Sequence, residues 1–288
     1  YFFMSKNPRA FDILGNIAIV KFPRDLNLNE TKKFAEKILR ENKSVRTILE
    51  KQGKVKGRLR KIQTKHLAGE KTKEVLYKEN NCVFRFNIDS TYFSPRLSNE
   101  RKEIASKIKK NDKVLVMFSG VAPYPIVIAK NSKANVTSIE INKEANKYAK
   151  LNVELNKLKD APSGVPQRGK VETIQGDIKK LAGTTGVPRK ILKKDFYKGQ
   201  KLNKKFDVIV MPRPQLKDSF LKEAFMLSKK NTRIYYYDFC KEDEINSVVE
   251  KIKLEAKKYK KKIKILKTKI AGEIAPYKIR VRIDFKIL

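Results

Sequence analysis

Five short runs rich in β-branched and aromatic residues succeed one another after residue 112: KVLVMF (113–118), VTSIE (136–140), VETIQ (171–175), FDVIVM (206–211) and TRIYYYDF (232–239). They read as strands. Between them lie helical patterns such as NKEANKYAKLNVELNKL (142–158), able to cover the faces of a sheet. Strand and helix in alternation predict an α/β fold, a doubly wound and mostly parallel sheet. The end of the chain departs from this rhythm. KKIKILKTKI (261–270) and YKIRVRIDFKI (277–287) are separated only by AGEIAP, too short for a helical crossover, so they are expected to pair as an antiparallel hairpin.

Before residue 110 the texture differs. Three β-like runs, NIAIVKF (16–22), KVKGRLRKIQTKHL (54–67) and CVFRFNI (82–88), surround one helical stretch, NETKKFAEKILREN (29–42). The expectation is a small α+β domain over residues 1–108, followed by the α/β domain over 109–288. Two basic insertions carrying Gly, Pro and Lys, near 159–170 and 183–205, interrupt the sheet pattern and are expected to be surface loops.

Charge points to the partner. Lys and Arg number 68 against 31 acidic residues, a formal net charge of +37, which repels itself unless a polyanion is near. An AT-rich coding bias would raise Lys, Asn and Ile together, but it does not explain the shortage of acids. Nucleic acid is the expected partner. Only Cys82, Cys240 and His66 could serve as soft metal ligands, and they are scattered. No zinc site or disulfide framework is expected, and a reducing cytoplasm fits. No apolar run reaches the roughly 20 residues that span a bilayer, and no signal-peptide pattern is visible, so a soluble protein without membrane or metal is expected.

A parallel sheet binds ligands at the carboxyl ends of its strands. After the first of the five strands comes Phe118-Ser119-Gly120-Val121-Ala122-Pro123, with one glycine where a pyrophosphate-binding turn uses three, which disfavours a dinucleotide. The second strand ends at Glu140, an acceptor for both ribose hydroxyls of a nucleoside. The third is followed by Gly176-Asp177-Ile178, where the aspartate can take an adenine amino group. The fourth ends in Met211-Pro212-Arg213-Pro214, a turn stiffened by two fixed φ angles. A ligand with an adenosine and no phosphates suits these places, and S-adenosylmethionine is the candidate.

The same residues resemble a known family, the archaeal and eukaryotic tRNA (guanine-37-N1)-methyltransferases. The resemblance begins at FDILGNIAIV (11–20), passes GRLR (57–60) and HLAGE (66–70), and is sharpest at YFSPRLSNER (92–101). It continues through FSGVAPY (118–124), MPRP (211–214) and APYKIRVRIDFKI (275–287). It implies a Rossmann-like class I methyltransferase domain behind an α+β RNA-binding domain, S-adenosylmethionine as cofactor and tRNA as substrate, in a protein expected to be monomeric.

Position by position, the resemblance places Arg60 as the catalytic arginine and Glu100 as the general base. Guanine N1 bears a proton at neutral pH, so a carboxylate must remove it before the nitrogen attacks a methyl group. A fixed guanidinium can then stabilise the charge that develops on O6. The plainer readings are a phosphate-binding Arg60, and for Glu100 a first-turn helix acid following Ser98. Tyr92, Arg96, Asn99 and Pro212 are implied in substrate positioning, although Tyr92 and Phe93 also suit a strand or core. Cofactor contacts carry over to Phe118, Gly120, Glu140, Ile141, Asp177, Ile178 and Pro214. Tyr236 and Tyr237 are expected to pack within the fifth strand.

Three departures stand against this pattern. Ala122 replaces a usual glycine, and Pro212 stands where the family often has asparagine, which removes a side-chain amide. The chain also starts at the family's second domain, without the N-terminal module that contacts the tRNA elbow, with Met4 the expected natural start. The alternatives are a wyosine-pathway enzyme acting on the modified base at the same nucleotide, by carbon methylation or aminocarboxypropyl transfer, and a non-catalytic RNA-binding protein.

Overall fold

A computed structural model describes residues 11–22, 26–56, 61–159, 169–183, 202–212 and 218–288. They fall into two units, Tyr1–Pro95 and Arg96–Leu288.

In the first unit, β1 (Phe11–Leu14) and β2 (Ile17–Val20) form a hairpin whose turn requires Gly15. At its φ of +60°, a Cβ would lie 1.9 Å from the Leu76 carbonyl oxygen. Asn16 uses the close approach: Leu76 N–H donates to its Oδ1 at 2.8 Å, which ties the turn to β5 (Glu74–Glu79). α1 (Leu28–Glu41) starts with a reciprocal cap, in which Glu30 N–H donates to Asn27 Oδ1 and Asn27 N–H to Glu30 Oε2. The helix presents Ala35 and Ile38 to Ala18, Val20, Phe22, Val45 and Ile48, the core of this unit. It connects β2 to β3 (Thr47–Lys56), which pair in parallel, and β4 (Lys61–Gly69) returns antiparallel to β3. The run 54–67, expected as one strand, therefore divides between two, with residues 57–60 outside the described residues. β5 pairs with β6 (Cys82–Asn87), and Phe93 stacks on Phe86 at 4.8 Å.

The second unit opens with α2 (Ser98–Ser106), whose Glu100, Arg101, Ile104 and Ala105 are buried. The sequence reading placed this helix before the domain boundary. It packs on α3 (Pro123–Ser132), so the units divide between Pro95 and Arg96. The sheet consists of β7 (Lys113–Met117), β8 (Asn135–Glu140), β9 (Lys170–Gln175), β10 (Phe206–Met211), β11 (Ser228–Cys240), β12 (Ile263–Ala275) and β13 (Lys278–Ile287). Its spatial order is β12-β13-β11-β10-β7-β8-β9. Strands β7 to β11 are parallel, and β13 and β12 close the edge antiparallel, as expected of the hairpin. β12 continues through most of the segment expected as a loop and leaves Pro276 and Tyr277 to turn. Between the strands run α4 (Lys143–Leu155), α5 (Ile178–Leu181), α6 (Leu221–Leu227) and α7 (Ile245–Lys258). The two basic insertions fall largely outside the described residues.

β7 and β10 are neighbours although β8 and β9 lie between them in sequence, so the winding direction reverses there. A crevice at the carboxyl ends of β7, β8 and β10 is the place this topology prepares for a ligand. Beneath it the core joins Leu115 and Met117 to Ile209, Met211, Ile234, Ile283 and Phe285. No helix among the described residues is long and apolar enough to cross a membrane, and among them no group of three or more His, Cys, Asp and Glu could hold a metal ion.

Candidate active site

The turn after β7 is wound tightly. Phe118, Gly120 and Ala122 all lie in the left-handed region, at φ of +56°, +57° and +66°. Only glycine adopts this without strain, so Phe118 and Ala122 are held there by their surroundings. Ser119 is tied to β8, its N–H donating to the Ile139 carbonyl at 3.0 Å, and Phe118 packs edge-on against Phe220 at 4.8 Å. The Val121 carbonyl accepts from Asn152 Nδ2 of α4 at 3.0 Å. The winding aims the Gly120 N–H at Glu140, whose Oε2 accepts it at 2.7 Å while Oε1 accepts from Asn142 N–H at 2.7 Å. Two backbone amides thus fix the plane of this carboxylate. The Gly176 N–H reaches the Glu140 carbonyl at 2.8 Å, which draws in the turn after β9, where Asp177 caps α5 through the Lys179 N–H.

A fixed carboxylate at the end of the second strand, beside a glycine turn without a pyrophosphate cradle, fits a nucleoside diol. Each carboxylate oxygen can accept more than one hydrogen bond, and a ribose offers two donors to it.

Glu100 lies on α2 and is 5% exposed. Its Oε2 accepts from Arg282 Nη1 at 2.7 Å and from the Tyr237 hydroxyl at 3.0 Å, and its Oε1 accepts from Lys269 Nζ. Tyr124, on the first turn of α3, donates its hydroxyl to that of Tyr237 at 3.2 Å. Burial holds the phenol of Tyr237 well above its usual range, so it stays protonated and donates. Two hydroxyls therefore connect Glu100 to α3, the helix that follows the Gly120 turn. Arg282 is fully buried and spreads its fork over three carboxylates, Glu100, Glu103 at 2.6 Å and Asp284 at 2.8 Å. Lys269 and Lys107 complete a cluster in which three cations face three carboxylates. The Arg282 hydrogen bond, with help from Lys269 and Lys107, holds Glu103 well below the ordinary carboxylate range. Glu100 and Glu103 in turn hold the Lys269 ammonium above its usual value.

The sheet register explains how Lys269 joins this cluster. On β13, Ile279, Val281, Ile283 and Phe285 enter the core, which leaves Arg282 and Asp284 on the opposite face. Along β12, Ile263 and Ile265 pack against the core, and strict alternation would send Lys269 the same way. The register instead shifts between Ile265 and Lys267, so Lys267 lies opposite Asp284 and Lys269 opposite Arg282. One extra residue, Leu266, turns the lysine to the Glu100 side.

Gly120, Glu140 and Asp177 are thus gathered at adjacent strand ends. Ile141 is half-buried beside them, Ile178 enters the core, and Pro212 is half-buried after β10. Arg60 and Pro214 lie outside the described residues. Arg96 and Asn99 are exposed, and Tyr92 is half-buried in the first unit. Sequence reasoning missed Arg282, Lys269, Glu103 and Asp284. The alternating charges of IRVRIDF (279–285) in a strand whose other positions are apolar were the available signal. Tyr237 packs in the fifth parallel strand as expected, but its hydroxyl also holds Glu100.

This strand order, the antiparallel closing hairpin and the Gly120–Glu140 turn define a class I methyltransferase domain of the S-adenosylmethionine-dependent type. The family model described as "TRM5/TYW2 methyltransferase domain" matches residues 75–195, and that of the "TYW2 N-terminal domain" matches residues 4–72. The tRNA (guanine(37)-N(1))/4-demethylwyosine(37)-methyltransferase Taw22 of Nanoarchaeum equitans is 36% identical, over 97% of this chain and 100% of its own length. Among solved structures, Trm5b from Pyrococcus abyssi superposes with a TM-score of 0.76 at 29% identity, covering 97% of this chain and 75% of that one. aTrm5 in complex with tRNALeu gives 0.76 at 27% identity, covering 97% and 72%. The chain belongs to the TRM5/TYW2 methyltransferase family.

Proposed function

We propose that this protein methylates N1 of guanine 37 in tRNA. The observation that carries the reading is whole-length similarity to an enzyme named for that reaction, in a chain that keeps the Gly120–Glu140 turn and a carboxylate at Glu100. S-adenosylmethionine supplies an electrophilic methyl group when bound. Glu140, Gly120 and the Asp177 turn would hold its nucleoside, and Phe118, Ile141, Ile178 and Pro214 are the further contacts that the resemblance implies. Glu100 takes the N1 proton at Oε1 while Arg282 and Tyr237 keep Oε2 in place. Arg60 stabilises the charge left on O6. Tyr92, Arg96, Asn99 and Pro212 position the base.

Mass spectrometry of nucleosides tests this. Unmodified tRNA incubated with protein and S-adenosylmethionine is predicted to yield 1-methylguanosine, and a transcript with adenosine at position 37 to yield none. A methyl group elsewhere in the transcript, or no product, overturns the reading. A second reading, methylation of the wyosine precursor at the same nucleotide, is favoured by the double activity in the name of the Nanoarchaeum equitans relative. tRNA carrying 4-demethylwyosine, offered in the same assay, tests it.

A further inference from the structure

Of the three groups on Glu100, two are sealed in. Arg282 is fully buried and Tyr237 nearly so, whereas the Lys269 side chain is 35% exposed. The proton-accepting oxygen Oε1 is therefore covered by the one partner that can reach solvent. Lys269 stands on the edge strand of the sheet, where Lys262, Lys264 and Lys267 are exposed along the same segment. The register places Lys264 opposite Lys286, Lys267 opposite Asp284 and Lys269 opposite Arg282, so these three lysines share the face that carries Glu100's partners. A row of exposed lysines ending in one that can leave a carboxylate suits a polyanionic backbone.

We infer that Lys269 binds a backbone phosphate of the substrate RNA and, in moving to it, releases Oε1 of Glu100. The inference deepens the proposed function and rests on it. In the absence of RNA the lysine neutralises Glu100 and Glu103, and the cluster stays balanced. When a phosphate takes the lysine, the carboxylate oxygen is exposed at the moment the target base arrives, while Arg282 and Tyr237 keep its orientation. Lys269 is a positioning residue that ties Glu100 to RNA binding. The charged and titratable groups around it are Glu103 and Lys107 on α2, Tyr124 on α3, Tyr237 on β11, and Arg282 and Asp284 on β13.

Competition for the lysine is reciprocal, so it can be read from binding alone. The affinity of the full chain for unmodified tRNA is measured at several salt concentrations for wild type, Glu100→Gln, Lys269→Met and the double variant. Glu100→Gln frees the lysine and is expected to tighten tRNA binding about three- to tenfold. That gain is expected to vanish in the Lys269→Met background. Lys269→Met should also lower the salt slope by about 0.7 to 0.9, one phosphate, and Lys269→Arg should restore it. A gain of equal size in both backgrounds, a general field effect, overturns the inference, as does no gain or an unchanged salt slope. Where Glu100→Gln does not fold, Glu103→Gln removes the lysine's other carboxylate and gives the same cycle. Methyl transfer by wild type is measured alongside. A failed cycle with an active enzyme rejects the role of Lys269 only, whereas loss of 1-methylguanosine formation rejects the proposed function.

Discussion

Arg282 donates to Glu100 at 2.7 Å from a position with no exposure to solvent, and the same guanidinium binds Glu103 and Asp284. Such a cation is justified only by its partners, because removing one member leaves buried charge uncompensated. Arg282→Met is therefore predicted to destabilise the protein by about 3 to 5 kcal/mol, as measured by urea denaturation. A loss below about 1 kcal/mol would mean that the cluster is wet and loosely held.

The pH dependence of stability follows from Glu103. Arg282 lowers its folded value below the ordinary 4.5, so its contribution to stability is fully present above that pH. The contribution is lost as pH falls below 4.5 towards the depressed folded value. Denaturation free energies measured from pH 7 to 3 should fall at the acid end for wild type and less steeply for Glu103→Gln. Identical acid slopes would remove Glu103 from the linkage.

Ala122 occupies a left-handed position, at φ of +66° and ψ of +36°. The strain is worth about 1 to 2 kcal/mol, and glycine would relieve it at an entropic cost of about 0.5 to 1 kcal/mol. Ala122→Gly is predicted to stabilise the fold by about 0.5 to 1 kcal/mol. Destabilisation on thermal or chemical unfolding would show that the methyl group has packing partners worth more than the strain.

Much of this architecture can be read from the residues, and the failures have physical causes. Apolar strands alternating with helical patterns announced the parallel sheet, and the short AGEIAP connection announced the closing hairpin. That Gly120, Glu140 and Asp177 gather at adjacent strand ends was legible, because each follows or closes a recognisable strand. The Glu100 cluster was not. Its cations come from β12 and β13, far along the chain, and a bulge at Leu266 reverses the face that simple alternation assigns to Lys269. Residues 54–67 read as one strand because β-forming residues run through both arms of a hairpin. α2 was assigned to the first domain because the alternation of strands and helices begins only at residue 113, although α2 packs on α3 and falls in the second compact unit.

The cofactor site makes a separate prediction. Glu140 bridges Gly120 and Asn142 and is the acceptor we propose for a ribose diol. Charge-assisted hydrogen bonds are worth about 1.5 to 3 kcal/mol, so Glu140→Ala should weaken S-adenosylmethionine at least about tenfold in calorimetry. Since the carboxylate also orders the turn, Glu140→Gln should recover part of the loss. Unchanged affinity would put the pocket elsewhere.

Proton removal from guanine N1 by Glu100 is tested most directly by single-turnover methyl transfer to tRNA across pH, in wild type and Glu100→Gln. The glutamine keeps the side chain's shape but cannot take the proton at neutral pH. The predicted result is a rate lower by about 10² to 10⁴, with unchanged S-adenosylmethionine affinity. The rise of rate with pH seen in wild type should disappear until guanine ionises by itself, whereas Arg60→Ala should slow transfer and keep that rise. A Glu100→Gln enzyme that methylates N1 near the wild-type rate with the same pH profile would contradict the account and leave Glu100 as a structural partner of Arg282, Tyr237 and Lys269.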